Sequence, residues 1–338
     1  MDSVSQAALG AAVGIAVLGR HIPVWKAALS GAIVGTLPDL DVFIDKGDPV
    51  RDMVLHRAET HSLFYQALAT PVLAGLFVLL DGARGLYLRW CAMVAFGLFT
   101  HSLLDAMTVY GTRLGLPFTD HPFGAGSLFI IDPLYTLPLL IGIGGALLAR
   151  SSLRLRWNTA GLALSTLYAA WSLAAQAYVT QQVLQSPVAK DVPAAHILVT
   201  PTPFNTLLWR IVVVDGDRYH EGFHALADAI RHPDDGIRFD TFERGGKLED
   251  ATRDFASANL VRDFSKGFYS LTDDGRVVRI TDLRMGQHPY FAFSFGFAEH
   301  ASPLRAIEPL RYSNRIPVAD GFAWLLPRML GEPIETPR

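Results

Sequence analysis

The chain divides into two parts with different hydrophobic patterns. Up to about residue 190 it consists of long apolar runs, whereas beyond Pro187 polar and apolar positions alternate between Gly, Pro and Asp turns. Two runs, residues 62–80 and 157–189, contain no Asp, Glu, Lys or Arg. At a rise of ~1.5 Å per residue, each is long enough to cross ~30 Å of hydrocarbon as a helix. The pattern predicts a membrane-embedded first part and a soluble second part.

Six apolar segments in the first part are interpreted as membrane helices, the first of them short enough to be re-entrant or interfacial. They lie at residues 4–19, 26–44, 62–80, 86–109, 130–149 and 158–180. The predicted fold class is therefore mainly α. We expect a polytopic transmembrane bundle of about five to six helices at residues 1–185, followed by a soluble α+β domain at residues 190–330.

The second part shows the period of a sheet. Residues 208–214 alternate, Asp215-Gly216-Asp217 supplies a hairpin turn, and residues 218–226 return antiparallel. Four Phe residues occupy every second position from Phe291 to Phe297, which places them on one face of a strand, in the core. The best helix candidate in this part is residues 249–264.

Composition and charge support a membrane protein. Charged residues make up 18% of the chain, against the roughly 25% usual for soluble domains. The net charge of −3 and the lack of a basic stripe argue against direct nucleic-acid binding. Lys and Arg are commoner in predicted loops 1–2, 3–4 and 5–6 than in loops 2–3 and 4–5. The positive-inside rule then predicts a multi-pass inner-membrane (plasma-membrane) protein whose soluble domain is extracytoplasmic.

Ionisable residues gather at the ends of the predicted helices, where their cost in a membrane marks functional sites. Alternating crossings would bring these ends to one side of the bilayer. The residues are Asp39, Asp41, His56, His61, His101, Asp105, His121 and Asp132. His101 and Asp105 are four apart and share a helical face, so both can contact one ion. Imidazole with carboxylate predicts a divalent metal site, with zinc favoured and manganese, iron or magnesium as alternatives.

Each candidate is given a role. The predicted metal ligands are Asp41, His61, His101 and Asp105, with His56 close behind. Asp39 or Glu59 would act as general base or orient a ligand, and Arg57 would hold an anionic oxygen such as a phosphoryl group. His121 and Asp132 are placed behind the ligands, although Asp132 also fits an ordinary helix N-cap. Any one residue alone suits a cap or a loop ion pair; the set together favours a metal site.

These residues also carry a resemblance to a known family. The matching motifs are Pro38-Asp-Leu-Asp41, His56-Arg57 with Thr60-His61-Ser62, and His101-Ser-Leu-Leu-Asp105 followed by Thr108 and Gly111. In order and spacing they resemble the YdjM-type family of membrane-bound metal-dependent hydrolases, which is also named for LexA binding. The resemblance covers about residues 1–150, and the stretch from Pro201 to Arg210 resembles the soluble extension of longer members. It implies a multipass inner-membrane protein with a hydrolase label.

The function predicted is metal-assisted hydrolysis, in which a bound ion lowers the pKa of water toward ~7 and polarises the scissile group. The expected partners are the lipid bilayer and a small-molecule or lipid substrate, such as a phospholipid or another amphiphilic ester or phosphoester. One alternative is a transport or ion-handling protein, since intramembrane Asp and His also form relays. Another is a membrane regulator or binding protein with a structural metal, which a closed four-ligand site would favour.

A second His motif points elsewhere. His220-Glu-Gly-Phe-His224 matches the His-Glu-x-x-His metalloprotease pattern, which requires a helix so that both His share a face. Here the motif falls on the predicted returning strand. At ~3.3 Å per residue its two His are ~13 Å apart and cannot share one ion. The protease interpretation is therefore disfavoured.

Overall fold

The computed structural model describes residues 1–81, 84–150 and 153–337, and the chain forms two compact units. The first unit contains Met1–Ile44, Arg57–Leu173 and Pro203–Asn205. The second contains Asp45–His56, Ala174–Thr202 and the chain from Thr206 onward. The units are thus not consecutive in sequence.

The first seven helices account for most of residues 1–190. In chain order they are α1 (Ser3–Leu18), α2 (Val24–Thr36), α3 (Pro49–Leu55), α4 (Leu63–Asp81), α5 (Tyr87–Asp105), α6 (Pro133–Leu148) and α7 (Arg154–Leu184). All except α3 coincide with the six apolar segments, so each of those segments does contain a helix. Helix α3 belongs to the second unit, where it packs against a later helix and strand.

The interpretation of these helices as five to six membrane spans is wrong. Within the described residues, α4 is the one helix both long and apolar enough to cross a membrane. Helices α1 and α6 have 16 residues each, or ~24 Å, which is shorter than the ~30 Å hydrocarbon core. Helix α2 has 13 residues, while α5 and α7 are long enough but too polar. The multi-pass prediction falls with this count, and so does the orientation, which rested on six crossings.

Helices α1 and α2 approach each other closely because glycines line their contact. A Cβ added to Gly10 would lie 2.3 Å from the Gly31 carbonyl oxygen, and one on Gly14 would lie 2.1 Å from the Ala27 carbonyl oxygen. Gly35, one turn beyond Gly31, would also meet the backbone of α1. Small residues four apart allow such backbone contact between helices. The contact fixes the end of α2, where the Gly35 carbonyl is needed by the site described below.

The second unit is built from two four-stranded antiparallel sheets and a short hairpin. The first sheet has the order β1 (Ile197–Pro201), β2 (Leu208–Asp215), β3 (Arg218–Ala225) and β4 (Phe239–Glu243). The other strands are β5 (Tyr269–Asp273), β6 (Val277–Asp282), β7 (Gly286–Gln287), β8 (Tyr290–Phe291), β9 (Ser294–Glu299) and β10 (Arg305–Tyr312). The second sheet has the order β10-β9-β6-β5, and β7 pairs with β8. The later helices are α8 (Asp228–Arg231), α9 (Ala256–Phe264) and α10 (Val318–Met329).

Strand β2 forms the centre of the first sheet. Trp209, Ile211 and Val213 lie in one buried cluster, whereas Val212 and Val214 lie in another, so both faces of the strand are covered. The β2–β3 pairing, closed by Asp215 opposite Arg218, confirms the predicted hairpin. The four Phe residues are split between β8 and β9, because the strand that was predicted to be continuous is interrupted after Phe291.

Candidate metal centre

Three short stretches of the first unit carry the candidate ligands. Pro38 ends the α-helical path after α2 and begins a 3-10 helix, Pro38–Phe43, which contains both aspartates. A second 3-10 helix, Glu59–His61, ends two residues before α4 starts at Leu63. The last turn of α5 supplies His101 and Asp105. The candidate ligands therefore come from helix ends and from the turns that join them.

Four side chains converge in this region, each presenting one ligand atom within 4.8 Å of the others: Asp39, His61, His101 and Asp105. The two imidazole Nε2 atoms are 3.1 Å apart. Asp39 Oδ1 lies 3.4 Å from His61 Nε2 and 3.5 Å from His101 Nε2. Asp105 Oδ2 lies 3.3 Å from His61 Nε2 and 3.8 Å from His101 Nε2. We call these four residues the metal cluster.

The spacing fits a small tetrahedral cation. With bonds of ~2.0–2.1 Å to nitrogen and oxygen, as for zinc, tetrahedral ligand atoms stand ~3.3 Å apart. The measured separations of 3.1 to 3.8 Å bracket that value. Asp105 Oδ2 is buried and accepts no hydrogen bond from the described residues, so its lone pairs are available to a cation. Two carboxylates and two neutral imidazoles would balance the charge of a divalent ion.

The hydrogen bonds behind the imidazoles leave both Nε2 atoms able to bind. His101 Nδ1 lies 2.7 Å from the Gly35 carbonyl oxygen. A carbonyl only accepts, so Nδ1 carries the proton and the Nε2 lone pair points into the cluster. His61 Nδ1 lies 2.9 Å from Thr60 Oγ1, whose hydroxyl donates to Asp41 Oδ2 at 3.0 Å. Such outer hydrogen bonds orient metal-binding His side chains.

The structure exchanges the places predicted for the two aspartates. Asp41 lies behind His61, where its Oδ2 accepts hydrogen bonds from the Thr60 hydroxyl and the Arg57 backbone N–H. Asp39 lies in the cluster. In a 3-10 helix, residues two apart project ~240° apart around the axis, so only one of the pair can face the cluster.

Electrostatics in the cluster favour a bound cation. Burial opposes ionisation of Asp39, but hydrogen bonds from His101 and His61 outweigh it and hold the pKa of the Asp39 carboxyl well below its usual range. Burial likewise opposes protonation of His61, yet hydrogen bonds to Asp105 and Asp39 raise the pKa of its imidazole. The carboxylates thus attract positive charge to this point, and a divalent ion would compete with those protons.

Arg57 is the buried cation next to the cluster. Its side chain Nε lies 2.9 Å from Asp105 Oδ2, and its Nη1 donates to Thr108 Oγ1 at 2.9 Å. The guanidinium also stacks on Tyr110, 5.0 Å from the ring centroid. Its φ of 62° is a left-handed conformation, which costs a non-glycine residue ~1–3 kcal/mol. The surroundings hold Arg57 in a strained conformation beside a ligand atom.

Comparison with known proteins gives the family. The family model described as "YdjM inner membrane protein" matches residues 1–182, more than half of the chain and all four cluster residues. The chain belongs to the YdjM inner membrane protein family. No curated protein and no solved structure matches it.

Four other predicted site residues of this YdjM-family chain lie outside the cluster. His56 follows α3 as its C-cap and belongs to the second unit. Glu59 opens its 3-10 helix and is exposed. His121 is exposed, with its ring 4.9 Å from that of Phe123. Asp132 is buried as the N-cap of α6, the alternative already visible in the sequence.

Several residues that support the cluster were not predicted. Gln6, buried on α1, donates through Nε2 to Asp105 Oδ1 at 2.8 Å. The Met1 amino group forms an ion pair with the same carboxylate. A polar amide within an apolar segment was the available signal for Gln6. Gly35 acts through its carbonyl, for which the sequence offers no signal except its spacing from Gly31.

The His220 and His224 motif lies on β3, as predicted. His220 Nδ1 is 2.9 Å from Thr241 Oγ1, whereas His224 Nδ1 is 3.5 Å from Asp228. Neither His belongs to a potential metal-binding group among the described residues. The strand therefore separates the two side chains, which have different partners.

Proposed function

We propose that this YdjM-family protein is a metal-dependent hydrolase acting on a phospholipid or another amphiphilic ester or phosphoester. The observation that carries the proposal is the metal cluster, with tetrahedral spacing and one accessible member. The Asp39 side chain is 20% exposed, whereas those of His61, His101 and Asp105 are fully buried. Substrate and water would approach beside Asp39.

A divalent ion in the cluster would supply Lewis acidity, lowering the pKa of water toward ~7 and polarising the scissile bond. His61 and His101 would bind the ion through Nε2, and Asp105 would be held in place by Gln6 and Arg57. The Arg57 charge would stabilise negative charge developing on a phosphoryl or carbonyl oxygen. Asp39, or the exposed Glu59, would take a proton from the attacking water.

Two other functions remain to be distinguished. A transport relay would spread its ionisable groups through the membrane depth, so four ligand atoms within 4.8 Å support a single centre instead. A regulator with a structural metal is the stronger rival, because four protein ligands, three of them fully buried, also suit a closed structural site. Hydrolytic activity separates these functions.

The test begins with metal analysis of detergent-purified protein. We expect about one divalent ion per chain, removal by a chelator, and restoration by zinc, manganese, iron or magnesium added singly. Each form is then screened against ester and phosphoester lipids, with the His101→Ala variant as control. Activity that requires the restored ion would support the proposal. A stoichiometric ion without hydrolysis of any of these lipids would favour the structural-metal alternative.

A further inference from the structure

We propose that the turn beside Asp39 inserts into the lipid bilayer, so that the metal centre receives its substrate from the membrane. Four large apolar side chains follow Asp39 on this turn and are exposed: Leu40 by 52%, Val42 by 66%, Phe43 by 83% and Ile44 by 53%. We call these four residues the apolar turn. Insertion is independent of the proposed function; the delivery of substrate rests on it.

The outward direction of the apolar turn is fixed by its own backbone. Asp41, in the middle of the 3-10 helix, is buried and held by Thr60 and by the Arg57 backbone N–H. With Asp41 held inward, its apolar neighbours are directed outward. Contiguous apolar surfaces of this kind mark interaction sites with proteins or membranes.

The position of α4 identifies the partner as lipid. Helix α4 is the candidate membrane span within the described residues, with only 22% of its apolar window buried. Its outward stripe, Leu68, Val72 and Leu76, is exposed by 59%, 73% and 52%. The helix begins two residues after His61, and His61 lies 3.4 Å from Asp39. The apolar turn therefore lies at the end of α4 where the span would meet water.

Aromatic side chains at the same end of α4 support an interfacial position. Phe64, in its first turn, is 39% exposed, and Phe118 is 79% exposed, with the two rings edge to edge at 5.3 Å. Phe gives apolar contact area of the kind that anchors proteins at a bilayer surface. The metal centre, the start of the span and the exposed apolar residues thus coincide in one region of the first unit.

The substrate class follows from this placement. An amphiphile with its chains in the bilayer beside Phe43 would present its ester or phosphoester to Asp39, the accessible cluster residue. In hydrolysis, the water oxygen would bond to the acyl carbon or phosphorus, the bond to the leaving oxygen would break, and that oxygen would take a proton. The products are an acid and an alcohol, with no change in oxidation state.

Insertion is tested by fluorescence quenching in the full chain. In a Cys91→Ser background, Phe43→Cys and, as a water-exposed reference, Asp250→Cys are labelled with an environment-sensitive fluorophore. The protein is reconstituted into phosphatidylcholine–phosphatidylglycerol vesicles with normal or acyl-brominated chains. We expect quenching at position 43 only with brominated lipid. Equal, unquenched emission at both positions would overturn the insertion.

Delivery of substrate is tested with model substrates, using Phe43→Ser and the conservative Phe43→Leu. We expect Phe43→Ser to lower hydrolysis of a vesicle-borne long-chain p-nitrophenyl ester or phosphoester about tenfold, without affecting the short-chain soluble analogue. Phe43→Leu should retain activity on both. Equal loss on both substrates would overturn the delivery role. If wild-type protein hydrolyses neither, the hydrolase proposal fails, while quenching still decides whether the turn inserts.

Discussion

Two pairs of histidines in this protein show opposite relations between sequence and space. His61 and His101 are 40 positions apart, yet their Nε2 atoms are 3.1 Å apart. His220 and His224, only four positions apart, both lie on β3 and contact different partners. Helix ends bring the first pair together, whereas the extended backbone separates the second. The secondary structure that carries a motif decides whether its residues can act together.

The two regions also differ in the charge around each imidazole. In the metal cluster, Asp39 and Asp105 both reach His61. Next to His224, the Asp228 carboxylate forms two hydrogen bonds of 2.8 Å with Arg328, and burial lowers the pKa of the His224 imidazole. A carboxylate already neutralised by arginine offers little to a cation, so only the first region suits a metal.

The sharpest way to break this comparison is to remove a ligand. His101→Ala and Asp105→Ala should each lose bound metal, a larger effect than the ~10–100-fold loss of affinity that follows removal of an orienting residue. Metal content is measured on protein extracted from the membrane fraction, which controls for insertion. Wild-type stoichiometry in both variants would eliminate the metal cluster as the site.

A smaller effect is expected one step behind the ligands. Asp41→Asn and Thr60→Val should weaken metal binding by ~10–100-fold without abolishing it at saturating metal, because both residues orient His61. Competition with a chromogenic chelator gives the affinity, and Thr60→Ser is the matched control that keeps the hydroxyl. A loss from Asp41→Asn as complete as that from His101→Ala would mean that Asp41 itself binds the ion.

Helix packing should have a measurable but more modest effect. A Cβ on Gly31 would lie 2.1 Å from the Gly10 carbonyl oxygen, so Gly31→Ala should lower the free energy of unfolding by ~1–3 kcal/mol. Gly75→Ala is the control, since its Cβ would meet nothing within 4 Å. Denaturant unfolding in detergent gives both values. Equal stability of the two variants would contradict the close packing of α1 and α2.

The smallest effect is expected in the second region. The double variant His220→Ala with His224→Ala should leave metal content, and any hydrolytic activity, within error of wild type, because neither side chain reaches the metal cluster. Purified protein is compared by metal analysis before and after zinc addition. Loss of one stoichiometric ion would restore the metalloprotease interpretation.

Periodicity predicted the helices better than their relation to the membrane. Segment 26–44 was long enough to span, but Pro38 ends the α-helix and leaves α2 with 13 residues. Averaging over the whole segment concealed that break. The second sheet was harder to predict, since β9 pairs with both β6 and β10 across intervening chain. The domain boundary near residues 185–190 stays a prediction.

For the site, helical spacing was informative only where a regular helix carries the residues. His101 and Asp105 share a face of α5, as their separation indicated. For Asp39 and Asp41 the sequence showed that they would diverge, not which would face the cluster. That choice depends on Thr60 and the Arg57 backbone, which reach Asp41 from a distant part of the chain.

The interleaving of the two units limits how the gene can be divided. The chain leaves the first unit at Ile44, returns at Arg57 and leaves again after Leu173. Truncation near residue 185 would also strip α3 of α9 and β10, against which it packs. It would thereby release the segment that joins the two site-bearing 3-10 helices. Shortened clones would lose support for the metal cluster as well as the sheets, so insertion, deletion and evolutionary exchange must treat both units as one inherited piece.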